Sequence, residues 1–283
     1  MSDEPPSSED AVPMARPVAP PADPVGQARA IPWIAPAGTE SRPMYLGDAA
    51  PRAVWLDLGL FVCGVLICYA PLALLATLML FLKEDLDERM LNVMLLPVQA
   101  AAWITLVALI LKMRGQSAAS MGWVRGRLLV DVPLGFAAWV CALGAFFAFT
   151  SIIWVTWPAG FVELQGNEEA ITEMLPPLHP AVLLGLQVLV GFYEELVFRG
   201  FLLTRLRRGL GSWWAAVLTS SLLFAVPHML EQKAIAAIPL FGVGVVFAIF
   251  AIWRKSVVPA IIGHALFNAC MLVGIYLTHP DWT

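Results

Sequence analysis

The side chains best equipped for chemistry sit in three short runs: Glu194-Glu195-Leu196-Val197-Phe198-Arg199, Phe224-Ala225-Val226-Pro227-His228 and His264-Ala265-Leu266-Phe267-Asn268. Each is embedded in Leu, Val, Ala, Gly and Phe. A charged side chain at mid-membrane depth costs about 2.5 to 3.5 kcal/mol on insertion scales, so two carboxylates and a guanidinium this close together imply mutual pairing, a wet cavity or a catalytic task. On a helix, residues four apart share a face. His264 and Asn268 therefore present an imidazole and an amide to one volume, and Phe224 lies one turn below His228. Adjacent helical residues point about 100° apart, so Glu194 and Glu195 take different roles. Glu195 and Arg199 have the spacing and order of a helical ion pair. Glu194 is left to face the bundle interior, where a carboxylate near imidazoles can act as a general base toward water.

The elements that must position these groups are membrane helices. The chain is 59% hydrophobic and 13% charged, with a mean hydropathy of +0.77, against about 45 to 50% apolar and about 25% charged in soluble domains. Apolar runs long enough to cross a ~30 Å hydrocarbon layer recur at about 54–82, 91–111, 128–155, 181–203, 213–229, 234–252 and 256–277. The expected fold is all-α, a polytopic transmembrane helix bundle of about seven spans, with the long run 128–155 the first place to look for an eighth. Residues 1–53 hold 11 of the 22 prolines and too few periodic apolar positions for a core; they read as a disordered tail without the features of a cleaved secretory signal. Residues 54–180 supply the first three spans and an outer loop, and 181–277 carry all three polar runs.

Lys and Arg orient the bundle. Fourteen fall in the tail, at 112–127, at 199–208 and at 254–255, while the alternate connections hold Lys83, Arg89 and Lys233. Short cytoplasmic loops are enriched in Lys and Arg, which places the N-terminus in the cytoplasm and the C-terminus outside. The connection 156–180 has no Lys or Arg but contains Glu163, Glu168, Glu169 and Glu173, and it reads as an exposed acidic loop. Trp123, Trp154, Trp157, Trp213, Trp214 and Trp253 fall at span ends, where indoles favour the interface. Counted from the cytoplasmic ends, Glu194 and His264 lie about 12 to 14 Å deep but His228 about 22 Å; convergence requires span 5 to start nearer Gly209, to tilt, or to kink at Pro227.

The remaining features read as structural. Cys63, Cys68, Cys141 and Cys270 lie in apolar segments without a CxxC pair, which argues against a disulfide framework or thiolate zinc site and for small core residues. Arg205, Arg207 and Arg208 read as an orientation signal and as contacts for anionic headgroups. His179 and His279 read as solvated. Nothing suggests a nucleic-acid partner.

Taken together, Glu194-Glu195-x-x-x-Arg199, Phe224-x-x-x-His228 and His264-x-x-x-Asn268, in this order on three spans, resemble the signature of the CPBP family: the CAAX protease and bacteriocin-processing intramembrane proteases, which include the type II CAAX prenyl endopeptidases. The resemblance covers about 181–272. It implies an intramembrane endopeptidase in which Glu194 activates the hydrolytic water with the help of His228, while His264 and Asn268 stabilise the oxyanion. It also implies a membrane-associated protein or peptide as substrate, prenylated or not. Glu194, His228 and His264 could ligate zinc with a fourth position open, yet HExxH is absent and a metal-free Glu/His mechanism uses the same residues. The style of the tail and loops points to a bacterial inner membrane. Two other readings use the same residues differently: a membrane scaffold or bacteriocin-immunity factor that keeps the polar groups for packing or partner binding, and a transporter that relays protons. Inverted repeats or paired broken helices would mark the transporter, and the sequence shows neither.

Overall fold

The computed structural model describes residues 44, 51–82, 88–123, 128–174, 176 and 178–278. Most of the proline-rich tail, Lys83, Arg125, Arg127 and His279 lie outside the described residues. Among the described residues all regular structure is helical. The helices are α1 (Pro51–Leu82), α2 (Glu88–Met113), α3 (Leu128–Thr156), α4 (Pro158–Gln165), α5 (Asn167–Met174), α6 (Pro180–Glu195), α7 (Leu203–Leu210), α8 (Trp213–Ala225), α9 (His228–Glu231), α10 (Ala237–Arg254) and α11 (Val258–Thr278). A π-helical turn, Leu196–Leu202, joins α6 to α7, so that 180–210 forms one long span.

Among the described residues six helical stretches are long and apolar enough to cross a membrane. Leu66, Ile67, Leu74, Leu129, Val155 and Leu277 are strongly exposed. In water such a surface would aggregate; in lipid it faces a medium as apolar as itself. The protein is an integral multi-pass membrane protein. The predicted fifth span differs from expectation. It is α8, with 13 residues, about 20 Å long at 1.5 Å per residue, and a turn at Val226-Pro227 divides it from α9. Proline lacks the backbone donor that would continue the ladder. Val217 packs with Ala248 and Ala251 near one end of α10, while Ala225 and Val226 share a groove with Ile238 and Phe241 near the other. α8 thus runs antiparallel to α10.

Local chemistry sets the helix ends. Pro180 opens α6, and His179 is its cap, exposed as expected and accepting a hydrogen bond from the Ala181 amide at 3.2 Å. Gly211 ends α7 at φ +72°, a left-handed conformation suited to glycine, and Ser212 caps α8 through the Ala215 amide. Glu168, Glu169 and Glu173 are exposed as expected, but on helix α5 rather than a loop.

Polar side chains tie the bundle together where the sequence reading saw interfacial charges. Arg205 is fully buried. It reaches Gln116 at 2.7 Å and Asp57 at 3.8 Å, and its guanidinium lies 4.0 Å from the Phe201 ring centre. Arg114 pairs with the same Asp57 at 2.6 Å. Arg205 is therefore not a headgroup contact: burial beside one carboxylate, one amide and one aromatic face satisfies it inside. Arg254 of α10 likewise pairs with buried Asp131 of α3 at 2.9 Å. The cysteines also differ from expectation. All four are free, with Cys63 and Cys141 exposed and Cys68 and Cys270 half-buried, because an apolar side chain here faces lipid as readily as core.

The site is built where α6, α8, α10 and α11 meet, with α3 packed behind α10 and α11. Phe198 and Phe224 belong to one buried apolar cluster, Phe247 and Phe267 to another. The polar motif residues lie between these aromatic walls.

Candidate active site

Glu195 ends α6 and Arg199 lies in the π-helical turn that follows. Single π-turns are enriched at functional sites; this one brings Glu195 Oε1 to 2.9 Å from Arg199 Nη1, both side chains being completely buried. The contact is a close charge pairing rather than an aligned hydrogen bond, since Nη1 counts as unsatisfied. Nη2 donates to the Gly244 carbonyl at 3.2 Å, and the guanidinium carbon stands 4.2 Å from the Phe224 ring centre. A cation this deep needs every such partner.

Glu195 has a second task. The same Oε1 lies 2.8 Å from His264 Nδ1, and an ionised carboxylate only accepts, so Nδ1 carries the proton. That fixes the ring and turns Nε2 toward Glu194, whose Oε2 is 3.9 Å away. Phe247 stacks on the His264 ring at 5.5 Å and 21°, and Phe224 meets it edge-on at 5.6 Å.

Glu194 differs from its neighbour as helix geometry requires. Its side chain is 14% exposed, against 0% for Glu195. Oε1 accepts from the Tyr193 hydroxyl at 3.3 Å, and Tyr193 in turn accepts from Gln99 of α2 at 3.2 Å. Oε2, the oxygen turned toward His264, makes no hydrogen bond.

His228 begins α9, just past the break. Its Nδ1 lies 3.0 Å from the Phe224 carbonyl, an acceptor, so Nδ1 donates and Nε2 is left with a lone pair. Its ring packs 5.1 Å from Phe224. Phe224 therefore carries both histidines and Arg199 on one aromatic ring. No pairing within 4 Å joins His228 to either glutamate among the described residues. Asn268 lies one turn beyond His264 on α11, half-buried and without a hydrogen bond to another described residue.

Among the described residues no three His, Cys, Asp or Glu side chains are grouped so as to hold a metal ion.

The motif reading missed Tyr193, Gln99, Gly244 and Phe247. Gln99 carried a signal, being an amide within an apolar span; Tyr193 carried one by standing next to the acid pair. Gly244 and Phe247 carried none, because their partners lie on other helices.

Residues 176–270 match the family model described as type II CAAX prenyl endopeptidase Rce1-like, about a third of the chain. No curated protein and no solved structure gives a significant match. The matched stretch holds every motif residue, from Glu194 on α6 to Asn268 on α11, and on that segment the chain is similar to the type II CAAX prenyl endopeptidases.

Proposed function

We propose that the protein cleaves a membrane-associated protein or peptide by attack of a water that Glu194 deprotonates. One observation supports this most: of the two adjacent carboxylates, Glu194 alone has a partly exposed side chain, and its Oε2, buried beside His264, has no hydrogen-bond partner. Tyr193 steadies the other oxygen, leaving Oε2 to take the proton. His264, held through Nδ1 by Glu195, presents Nε2 to the same volume. With a proton on both ring nitrogens it donates to the carbonyl oxygen as negative charge develops there. Asn268 adds an amide donor from the same face of α11. His228, with Nε2 bearing a lone pair, assists from across Phe224 by accepting a proton from the water or returning one to the leaving amine. Each proton then has a carrier without a metal.

The basic residues favour a cytoplasmic N-terminus and a site toward the cytoplasmic leaflet, and the style of the tail and loops favours a bacterial inner membrane. Arg114, Arg199 and Arg205 are buried and drop out as interfacial charges, but the imbalance keeps its sign.

The test is hydrolysis of a quenched fluorescent peptide library by the full chain in lipid nanodiscs, beside Glu194→Gln. Cleavage by the unaltered protein and a loss of 10²-fold or more in the variant are expected. Equal rates for both would remove Glu194 from the chemistry, and no cleavage by either would favour a scaffold.

A further inference from the structure

Four helices bring the motif residues together, yet one contact sets how closely the acids approach His264. A Cβ built on Gly191 of α6 would fall 2.8 Å from the Ala265 backbone nitrogen, 3.1 Å from its Cα and 3.2 Å from its Cβ. Real Cβ atoms do not approach backbone that closely, and backbone cannot rotate aside as a flexible side chain can. Gly191 stands one turn before Glu195, and Ala265 follows His264 directly. The bare backbone of α6 therefore touches α11 one turn from the 2.8 Å hydrogen bond between Glu195 and His264.

α11 has no room to retreat. On its opposite side a Cβ on Gly263 would already meet the Ala138 methyl at 3.0 Å and the Trp139 backbone nitrogen at 3.1 Å, and a Cβ on Gly135 of α3 would meet Ile262 at 2.5 Å. A methyl at position 191 must therefore push α6 outward and carry Glu194 and Glu195 with it. Elsewhere on the same helix the situation differs: a Cβ on Gly185 would meet nothing within 4 Å.

We infer that Gly191 is a positioning residue for this endopeptidase, setting the distance from Glu194 and Glu195 to His264 by direct backbone contact with Ala265. The inference rests on the catalytic reading above. Displacement of a catalytic group by about 1 Å can cost about 10²-fold in rate, and a hydrogen bond of 2.8 Å does not survive that shift.

The experiment compares Gly191→Ala, Gly185→Ala and Glu194→Gln in nanodiscs, using the best-cleaved peptide of the quenched library. Proton spectra of protein carrying ¹⁵N-histidine report the hydrogen-bonded Nδ1 proton of His264. In Gly191→Ala, kcat should fall about 10²-fold with KM unchanged, and the downfield Nδ1–H signal should be lost. Gly185→Ala should keep both. Should Gly191→Ala fail to fold, Ala265→Val widens the same seam from α11 and should reproduce the paired loss. Gly191→Ala with normal kcat and an intact signal overturns the inference, as does a fall in kcat with the signal unmoved, or an equal loss in Gly185→Ala. Failure of both seam variants to fold also counts against it, because the seam would then determine folding rather than set one distance. If Glu194→Gln cleaves normally, the catalytic reading itself fails, and that outcome is separate from the behaviour of Gly191→Ala.

Discussion

His264 Nδ1 and Glu195 Oε1 stand 2.8 Å apart, and the same oxygen is 2.9 Å from Arg199 Nη1. One carboxylate oxygen therefore serves both the ion pair that the spacing predicted and an imidazole from another helix. Glu195 is more than a counter-charge. It determines which nitrogen of His264 faces Glu194.

Glu195→Gln should accordingly lower stability and activity together. Removing one partner of a buried pair costs about 3 to 5 kcal/mol, and the amide can also turn its NH₂ toward Nδ1 and reverse the tautomer of His264. Arg199→Gln added to Glu195→Gln should restore part of the melting temperature but not the turnover, because His264 remains without its anchor. Thermal unfolding and peptide hydrolysis in detergent check this. Recovery of both would mean that His264 does not depend on Glu195.

Phe224→Leu keeps apolar volume but removes the aromatic face beneath Arg199, His228 and His264. A desolvated cation–π contact is worth about 2 kcal/mol, so the melting temperature should fall measurably. The two histidines also lose their common support, and kcat should fall further than stability alone explains. Unfolding and kcat measured at a temperature where the variant is fully folded separate the two effects.

Asp57→Asn leaves Arg114 and Arg205 without a buried anion, while the site on α6, α8 and α11 is untouched. A drop of several kcal/mol in stability is expected, with kcat unchanged for the folded fraction. Arg205→Gln combined with Asp57→Asn should recover part of the loss. A melting temperature equal to that of the unaltered protein in Asp57→Asn would show that the Arg114 and Arg205 contacts contribute nothing.

Reporters fused after Arg127 and after Arg208 should be cytoplasmic, and those fused at Gly166 or after Thr283 external. The short α8 is the sensitive point, since this topology requires a pass there that the other spans make with longer helices. Labelling of the C-terminus from the cytoplasm would sink this topology.

The sequence by itself determined the all-α membrane character, because lipid leaves backbone groups no partner outside the helix and the long apolar runs admit no other spanning structure. It also determined that the two adjacent acids face different surroundings. That follows from the 100° step between adjacent helical residues, and the structure shows the Glu195–Arg199 pair it predicts, with Glu194 turned to the reachable side. Hydropathy could not see the break at Val226-Pro227, since both halves are apolar, and so gave α8 too great a length. It could not tell Arg205 from an interfacial arginine either, because burial depends on Asp57 and Gln116, distant in the chain. The second partner of Glu195, the stacking of Phe247 on His264 and the contact of Gly191 with Ala265 belong to tertiary structure alone. Each joins residues on different helices, and periodicity along one helix carries no information about which face of another it will meet.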